Sequence, residues 1–360
     1  MRVLQVCESF GGGNFSSVTQ ICNGLARRGH EVHLAYSRRP ETPADFSSAL
    51  DAAVILHEIR MTRAISPWID LRALMALIAL LRVLDPQVIH LHSSKAGFLG
   101  RAAALVSGRI RSVLYSPRGL SFLQQDVSPR RRKFFRWLEW LAARPGGTVV
   151  ACSKGELDQI RRSIRPKDAL LIENAVDVGM VRRKVDRGDG RVRIGTAGRI
   201  SFPRNPGHFM RVAQKLAHRG VEFVWIGGGD GADAMELARC GVQVTGWLTR
   251  ADALERLSQL DIYLQTSLWE GMPMAVIEAQ VAGIPAVVTD VLGNRDVVIN
   301  AETGFICGTI QEMVDRLAAL VADAGARERM GARARELALG RFSVDRMLEE
   351  LISAYALRAA

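Results

Sequence analysis

Cysteine is scarce and scattered in this chain of 360 residues. The five cysteines include no Cys-x2-Cys pair and lie far apart, at positions 7, 22, 152, 240 and 307. This pattern excludes a disulfide-rich secreted scaffold and the common zinc-binding spacings. An odd number of separate thiols instead indicates reduced cysteines in a cytosolic protein.

Long apolar stretches are also missing. The longest, residues 73–81, is bounded by Arg72 and Arg82 and is far shorter than the roughly 20 residues that span a bilayer. Residues 1–7 are too short for the apolar region of a secretory signal. We therefore expect a cytoplasmic chain that is either soluble or peripheral to a membrane.

Acidic residues are outnumbered by basic ones. The chain has 37 Asp and Glu against 48 Lys and Arg, which gives a net charge of +11. Such a balance suits nucleic acid, an anionic membrane surface or an acidic substrate. The 48% of hydrophobic residues is ordinary for a globular protein, and the length favours two domains with separate cores.

Strand-like and helix-like segments alternate along nearly the whole chain. The predicted strands are residues 3–7, 31–36, 88–92, 113–116, 148–152, 170–173, 192–196, 223–226, 242–245, 262–265 and 286–289. The predicted helices are residues 16–28, 71–84, 129–144, 205–218, 251–257, 274–282, 310–322, 326–339 and 343–357, and one that begins near 94. This alternation predicts an α/β fold with parallel, doubly wound sheets.

A polar, Gly-bearing stretch at residues 179–190 interrupts the alternation and is typical of an interdomain linker. We therefore predict two Rossmann-like domains, residues 1–178 and 191–342, that face each other across a cleft. A terminal helix at 343–360 completes the chain.

Two carboxylates stand out near the end of the second series. Glu270 and Glu278 are separated by seven residues, and they follow the predicted strand 262–265. Glu270 then lies in a strand-to-helix loop, at the carboxyl end of a strand where open α/β sheets bind ligands. Glu278 lies on the helix 274–282 that follows.

The start of that helix predicts an anion site. Pro273 suits the first helical turn, Gly283 suits the C-cap, and the backbone N–H groups around Gly271, Met272 and Met274 point to free space before the helix. Two acids beside an anion site indicate a ligand that carries both phosphate and hydroxyl groups. A nucleotide sugar fits this description.

These residues resemble the Glu-x7-Glu signature of retaining glycosyltransferases of family 4, which have the two-domain GT-B fold. In that family the last helix crosses back to the first domain, and the resemblance implies the same for the terminal helix 343–360. Four further segments resemble parts of that family in the expected order. They are the Gly-rich loop 11–13; the segment 90–97, similar to one common in the polysaccharide branch; Asn174-Ala-Val-Asp177, with Ala175 in place of the family's Gly; and Gly198-Arg199 through Arg204-Asn-Pro206, with Arg204 in place of Lys.

The resemblance implies roles for the matching residues. Arg199 and Arg204 would neutralise a diphosphate leaving group, whose charge grows in the transition state. Glu270 would contact the hydroxyls of the donor sugar, and Glu278 would bind the ribose. The other implied donor-binding residues are Gly12, Gly13, Gly198, Gly228, Trp247, Leu248, Gly271, Met272, Pro273, Met274 and Ala275.

Some of these residues also have plainer interpretations. The loop 11–13 could be only a tight turn, and Trp247 could be a core residue. Gly227, Gly229 and Ala232 match the spacing of a dinucleotide fingerprint after a predicted strand. The next strand ends without an acid to hold a ribose hydroxyl, so we interpret this loop as the nucleotide side of the cleft and predict no NAD.

His90 and His92 lie two residues apart on a predicted strand and therefore share one face. The spacing suits a metal ion, but the sequence shows no third ligand and no Asp-x-Asp pair. We predict a metal-independent enzyme with no cofactor besides its nucleotide-sugar substrate. The candidates for contact with the acceptor or the donor sugar are His92, facing the acceptor, Lys95, near an acceptor phosphate, Arg118 and Asn174.

Arg118 departs from the family pattern. It stands where many members carry the His of a His-Gly pair that approaches the donor sugar. Arginine cannot act as a base at neutral pH. We therefore expect Arg118 to bind the leaving phosphate or a hydroxyl, and we expect a front-face mechanism in which the leaving phosphate takes the acceptor's proton.

Residues 129–144 are predicted to form a basic, aromatic helix. Phe134, Trp137, Leu138 and Leu141 make one apolar stripe. Two interpretations remain open. Either the stripe is buried in the domain core, or the segment from Arg130 to Arg144 contacts an anionic inner membrane, with its basic residues on the lipid headgroups.

The family resemblance implies a retaining glycosyltransferase that moves a hexose or deoxyhexose from a UDP- or GDP-sugar. Its acceptor would be a lipid-linked saccharide in the synthesis of a bacterial surface polysaccharide such as O-antigen, lipopolysaccharide core or capsule. A nucleotide-sugar epimerase on the same fold is one alternative, which the Glu-x7-Glu pair disfavours. A nucleic-acid-binding protein is another, suggested only by the charge, and we predict no nucleic-acid partner because no RNA-binding motif is present.

Overall fold

The computed structural model describes residues 1–185, 187–229 and 231–359, except for the side chain of Arg219. Asp186 of the predicted linker, Asp230 of the loop that carries Gly227 and Gly229, and Ala360 of the terminal segment lie outside the described residues. The chain divides into two compact units. One unit combines Met1–Asn174 with Val344–Ala360, and the other is Ala175–Ser343.

Parallel strands alternate with helices through the first unit. Its strands are β1 (Arg2–Cys7), β2 (Glu31–Tyr36), β3 (Ile55–Glu58), β4 (Val88–His92), β5 (Val113–Ser116), β6 (Thr148–Ala151) and β7 (Asp168–Leu171). Its helices before the second unit begins are α1 (Gly12–Arg27), α2 (Pro67–Leu84), α3 (Ser94–Val106), α4 (Pro129–Ala143) and α5 (Lys154–Ser163).

The first sheet has the strand order β3-β2-β1-β4-β5-β6-β7, and neighbouring strands pair in parallel. Strands β1, β4 and β5 are almost entirely buried, as expected for a parallel sheet with helices on both faces. The order reverses between β1 and β4, which is the switch point where doubly wound sheets bind ligands.

The second unit repeats this plan. Its strands are β8 (Arg193–Ala197), β9 (Glu222–Ile226), β10 (Val242–Val244), β11 (Ile262–Gln265), β12 (Ala286–Thr289) and β13 (Gly304–Cys307). Its helices are α6 (Pro206–Leu216), α7 (Gly231–Arg239), α8 (Arg250–Ser258), α9 (Met274–Ala282), α10 (Leu292–Val297), α11 (Ile310–Ala322) and α12 (Ala324–Arg341). The sheet order is β10-β9-β8-β11-β12-β13, again all parallel, with its switch point between β8 and β11.

The last helix, α13 (Val344–Ala359), belongs to the first unit and packs on α1. The contact is close, because a Cβ atom on Gly24 would lie 2.2 Å from Leu348. Residues 179–190, predicted as a linker, are counted with the second unit. There the Lys184 N–H donates to the Ala282 carbonyl at 2.7 Å.

The predicted fold class is confirmed, since both units are Rossmann-like with parallel sheets. The bounds of β2, β4, β5, β11, β12, α9 and α11 agree with the prediction. The elements that the prediction lacked are β3, β13, α5, α7 and α10. Both missed strands lie at sheet edges and are partly exposed, so their sequences carry no strong apolar signal.

Two corrections concern the Gly-rich loop and the second helix. Helix α1 begins at Gly12 rather than near residue 16, so Gly12 and Gly13 form its first turn. Helix α2 begins at Pro67, four residues before the predicted start, because Pro67 takes the first helical position where its missing N–H costs nothing. Within the described part of the chain, no helix has both the length and the apolar content to cross a bilayer.

Candidate active site

Two loops meet at the switch point of the second sheet. One follows β8 and carries Gly198, Arg199 and Arg204, and the other follows β11 and carries Glu270. Strands β8 and β11 are direct neighbours, with Tyr263 paired to Gly195. The fold therefore brings the loop that carries the predicted diphosphate-binding arginines next to the loop that carries the first predicted acid.

Hydrogen bonds to backbone carbonyls join these two loops. The Leu268 N–H donates to the Pro203 carbonyl at 2.8 Å, and the Thr266 hydroxyl donates to the Arg204 carbonyl at 2.9 Å. Because each loop is fixed to the other, Arg204 and Glu270 occupy a defined relative position. The two loops thus form one rigid framework at the carboxyl ends of β8 and β11.

A buried amide connects the two charges. Gln265 donates from Nε2 to the Glu270 Oε1 atom at 2.8 Å and accepts from Arg204 Nη1 at 2.9 Å. The Ser267 hydroxyl donates to the same carboxylate oxygen at 2.7 Å, and Arg204 Nη1 lies 3.5 Å from it. None of these contacts uses Oε2 of Glu270, so the second oxygen is not committed by them.

Electrostatics favour a charged Arg204. Burial alone would lower the pKa of its guanidinium, but the neighbouring Glu270 and Tyr263 outweigh this effect and raise that pKa. Arg204 therefore stays a cation while half-buried. Arg199, in contrast, is exposed on the same loop.

The loops after β8 and β9 run side by side beyond the ends of their strands. The Ile200 N–H donates to the Gly228 carbonyl at 2.8 Å. A Cβ atom on Gly227 would lie 2.3 Å from the Gly198 carbonyl oxygen, and one on Gly229 would lie 2.2 Å from that of Ile200. Close backbone approach therefore explains the glycines whose spacing resembles a dinucleotide fingerprint.

Trp247 lies on the surface beside this loop. Its side chain is 66% exposed, and its Cδ1 atom would lie 2.8 Å from a Cβ atom on Gly228. The core interpretation of Trp247 is therefore wrong. Leu248, the next residue, is half-buried.

Helix α9 begins beside Glu270, as predicted. Pro273 takes the N-cap position rather than the first turn, and Gly283 is the C-cap in a left-handed conformation. Met272 and Ala275 are buried, which anchors the start of the helix, while Met274 is half-buried. The Gly271 carbonyl oxygen would lie 2.7 Å from a Cβ atom on Gly293, so helix α10 supports the loop from below.

Glu278 lies on the second turn of α9 and is almost completely buried. Its Oε1 atom forms an ion pair with Arg250, the first residue of α8. Arg250 was not among the predicted site residues. The sequence does not reveal this contact, because Arg250 and Glu278 are 28 positions apart.

The first unit also gathers polar groups at the carboxyl ends of its strands. Arg118 donates from Nε to His92 Nδ1 at 3.1 Å, and from Nη1 to the Ser17 hydroxyl at 2.6 Å. The same Nη1 lies 3.4 Å from the Asn174 side-chain oxygen. Arg118 has a positive φ of 53°, an uncommon conformation for a residue other than glycine. Arg118, His92 and Asn174, three predicted residues, thus form one cluster.

His92 points into the unit and not toward an acceptor. It has no exposed surface, its Nδ1 accepts from Arg118, and its Nε2 therefore donates to Gln5 at 2.7 Å. Gln5 in turn donates to the hydroxyl of Tyr355 on α13 at 3.1 Å. With both ring nitrogens paired, His92 positions Arg118 instead of contacting a substrate.

His90 is paired in a similar way, with Tyr355 at 2.6 Å and Ser116 at 2.8 Å. No group of three His, Cys, Asp or Glu side chains among the described residues is arranged to hold a metal ion. The predicted independence of metal remains a prediction.

Lys95 is engaged within the first unit. Its ammonium lies 2.7 Å from both carboxylate oxygens of Asp70 and 2.9 Å from the Ala64 carbonyl. Contact with an acceptor phosphate would therefore require the loss of this ion pair. Gly12 and Gly13, in contrast, border open space, because a Cβ atom on either would meet nothing within 4 Å.

Helix α4 is inverted relative to an ordinary amphipathic helix. Phe134, Trp137 and Leu141 are exposed, whereas Glu139 is buried and pairs with Arg101 at 2.9 Å. The interpretation that this stripe lies in the domain core is wrong for these three side chains, and Leu138 is half-buried.

Two family models together match nearly the whole chain. The model described as Glycosyltransferase Family 4 matches residues 11–179, and the model described as Glycosyl transferases group 1 matches residues 180–337. Two units of this kind in succession define the GT-B class of glycosyltransferases. The chain belongs to glycosyltransferase family 4, and its activity is therefore sugar transfer.

Relatives and solved structures agree with this assignment. The chain is 29% identical to an Escherichia coli UDP-Gal:alpha-D-GlcNAc-diphosphoundecaprenol alpha-1,3-galactosyltransferase, over 68% of each chain. It is 25% identical to the capsular polysaccharide biosynthesis glycosyltransferase CapM of Staphylococcus aureus, over 84% of each. Anabaena HepE, solved with UDP and glucose, has the same fold with a TM-score of 0.81 at 16% identity, over 99% of each chain.

The buried histidines predict a loss of stability in mild acid. Burial, together with the charge of Arg118, holds the pKa values of His90 and His92 well below 6.5. Below pH 6.5 the unfolded chain binds protons that the folded chain does not, so the free energy of unfolding falls as pH falls. Each histidine contributes a slope of up to about 1.4 kcal/mol per pH unit.

The measurement is urea unfolding at several pH values from about 7.5 to 5.5, on the wild type and on His92→Asn. The Asn oxygen can still accept from Arg118 but does not titrate, so the variant should show a shallower dependence on pH. Equal slopes in the two proteins would mean that His92 is not held neutral.

Proposed function

We propose that this enzyme is a retaining, metal-independent hexosyltransferase that uses a UDP-sugar. We infer that its acceptor is a lipid-linked saccharide in bacterial surface polysaccharide synthesis. The observation that carries the donor assignment is the linked arrangement of Arg204, Gln265 and Glu270 at the switch point of the second sheet. UDP is proposed as the nucleotide of the donor because the Escherichia coli relative is named for UDP-Gal and HepE was solved with UDP.

The chemistry requires one bond to break and one to form at the same carbon. The bond between C1 of the sugar and the phosphate oxygen breaks, and an acceptor hydroxyl oxygen bonds to C1 from the same face. The leaving diphosphate takes the acceptor proton. Arg199 and Arg204 would stabilise the negative charge that grows on the diphosphate, since cations that are already in place cost no reorganisation.

Glu270 would position the sugar. Its Oε1 atom is held by Gln265 and Ser267, so Oε2 is proposed to accept hydrogen bonds from the sugar hydroxyls. Arg118 does not supply a base, and its guanidinium is proposed to bind an anionic or hydroxyl group at the edge of the first sheet. Positioning and electrostatics would therefore provide most of the catalysis.

Replacement of Glu270 by Gln tests the donor site. The variant keeps the size of the side chain but no longer has two carboxylate oxygens that accept hydrogen bonds. We expect sugar transfer to fall by roughly 100- to 1000-fold. The assay follows transfer from UDP-galactose to a GlcNAc-diphosphate lipid, the substrates named for the Escherichia coli relative. The thermal midpoint is measured in parallel.

The control is Glu255→Gln, which changes an exposed carboxylate on α8 of the same unit. It should leave turnover unchanged. Full turnover by a folded Glu270→Gln enzyme would remove Glu270 from the active site. Epimerised UDP-sugar without a transferred product would favour the epimerase alternative.

The stereochemistry and the metal requirement are tested on the wild-type product. We expect the new glycosidic bond to keep the α configuration of the donor, as measured from the anomeric proton coupling in the NMR spectrum. We also expect unchanged turnover in EDTA, because arginines would do the work of a metal on the diphosphate. A β product would contradict retention, and activity restored only by Mg²⁺ would contradict independence of metal.

We propose that helix α4 contacts an anionic membrane surface. The exposed stripe includes Trp137 at 51% exposure, and basic residues surround it. The basic residues of the helix and its C-cap are Arg130, Arg131, Arg132, Lys133, Arg136 and Arg144. Exposed aromatic groups among cations suit a lipid–water interface that carries negative charge.

Helix α2 of the same unit also exposes apolar side chains. Trp68 is 79% exposed, and Leu71 and Met75 on the same helix are exposed as well. Helix α3 packs against both α2 and α4 within the first unit. So many large apolar side chains exposed on α2 and α4 are unusual for surfaces that face only water. A membrane surface would also give access to a lipid-linked acceptor.

Vesicle flotation tests the membrane contact. Wild-type protein should float with vesicles that contain anionic phospholipid and should remain below with purely zwitterionic vesicles. The double variant Phe134→Ser/Trp137→Ser should lose flotation, since both side chains would be removed from the apolar layer. Its thermal midpoint should be close to that of the wild type because both residues are exposed.

The control is Leu357→Ser, which changes an apolar residue on α13 of the same unit that is even more exposed to water than Phe134 or Trp137. This control should float like the wild type. Equal flotation of the double variant, or no flotation of the wild type, would contradict a membrane role for α4.

A further inference from the structure

The ion pair between Glu278 and Arg250 brings together a residue that is buried and one that is not. The side chain of Glu278 is 4% exposed, and that of Arg250 is 41% exposed. Arg250 therefore reaches from the surface into the place where α8 packs against α9. Its contact with Glu278 uses Oε1 and not Oε2.

A buried carboxylate needs a partner to remain ionised. An unpaired carboxylate taken out of water would pay a large desolvation cost or would bind a proton. Arg250 supplies the compensating charge directly. Burial by itself would lower the pKa of Arg250, but Glu278 and, next, Asp177 outweigh this effect and raise that pKa, so Arg250 stays charged.

The position of Arg250 is unfavourable for its own helix. It is the first residue of α8, where the helix dipole disfavours a cation. The N-cap is already provided by Thr249, whose hydroxyl accepts from the Asp252 N–H at 3.2 Å. An arginine that does not help the helix is explained by its contact with Glu278, outside α8.

We infer that Arg250 is a positioning residue for nucleotide binding, which holds Oε1 of Glu278 so that Oε2 is presented to the ribose hydroxyls of the donor. This inference rests on the proposed function, since it takes Glu278 as the ribose-binding acid. It adds a residue that lies outside the matched family motifs. Arg250 acts through Glu278 and does not take part in the chemical step.

Ribose discrimination measures this role directly. Binding of UDP and of 2′,3′-dideoxy-UDP to the full chain is compared by calorimetry, with GDP and its dideoxy form as the second pair. The wild type should prefer the ribonucleotide by about 10-fold or more, because a lost pair of buried hydrogen bonds leaves the carboxylate unsatisfied. The Arg250→Gln protein should bind the ribonucleotide and its dideoxy form almost equally well.

Two further variants separate positioning from a general structural effect. Glu278→Gln should lose the same preference, and the double variant should lose no more than either single one, because both act through one contact. Arg256→Gln removes an exposed arginine from the same helix and should keep the full preference. A merely structural role of Arg250 would lower the thermal midpoint and leave the ratio unchanged.

The outcomes distinguish this inference from the donor assignment. If the folded Arg250→Gln protein keeps the ribose preference, the inference fails while the donor site stands. If it binds UDP more tightly than the wild type, Arg250 competes with the ribose, and the inference also fails. If the wild type binds neither nucleotide, the donor assignment fails and the inference fails with it.

Discussion

The amide of Gln265 is the contact on which the candidate donor site depends. It lies at the end of β11, has no exposed surface, and bonds to a cation on one side and a carboxylate on the other. Removal of either charge would leave the amide or the remaining charge unsatisfied in a buried place. The two loops at the switch point therefore have a single shared arrangement, and the position of Glu270 follows from it.

Much of the fold was predictable because the interior strands and the helix after Glu270 carry strong local signals. Interior strands such as β11 and β12 are short, largely apolar and mostly buried, and α9 has a Pro before it and a Gly after it. Edge strands gave no comparable signal. Strand β3 has only half-buried and exposed side chains, and β7 lies two residues before its predicted position.

The site was predictable only as far as its motifs reach. Glu270, Glu278 and Arg204 were found because they stand at fixed spacings near strand ends. Their partners were not found, since Gln265 reads as part of an apolar strand and Arg250 is an ordinary surface residue in the sequence. The face of α4 was uncertain for the same reason, because its buried Glu139 pairs with Arg101, which lies 38 positions earlier.

The two units become complete at different points in synthesis. The second unit is one continuous stretch, but the first needs both ends of the chain, since Gln5 bonds to Tyr355, which comes 350 residues later. Until α13 leaves the ribosome, Gln5 and His90 lack the hydroxyl that joins them in the folded protein. The polar core below Arg118 is thus completed only when α13 is present, and a chain cut short before α13 would lack the Tyr355 hydroxyl that Gln5 and His90 share.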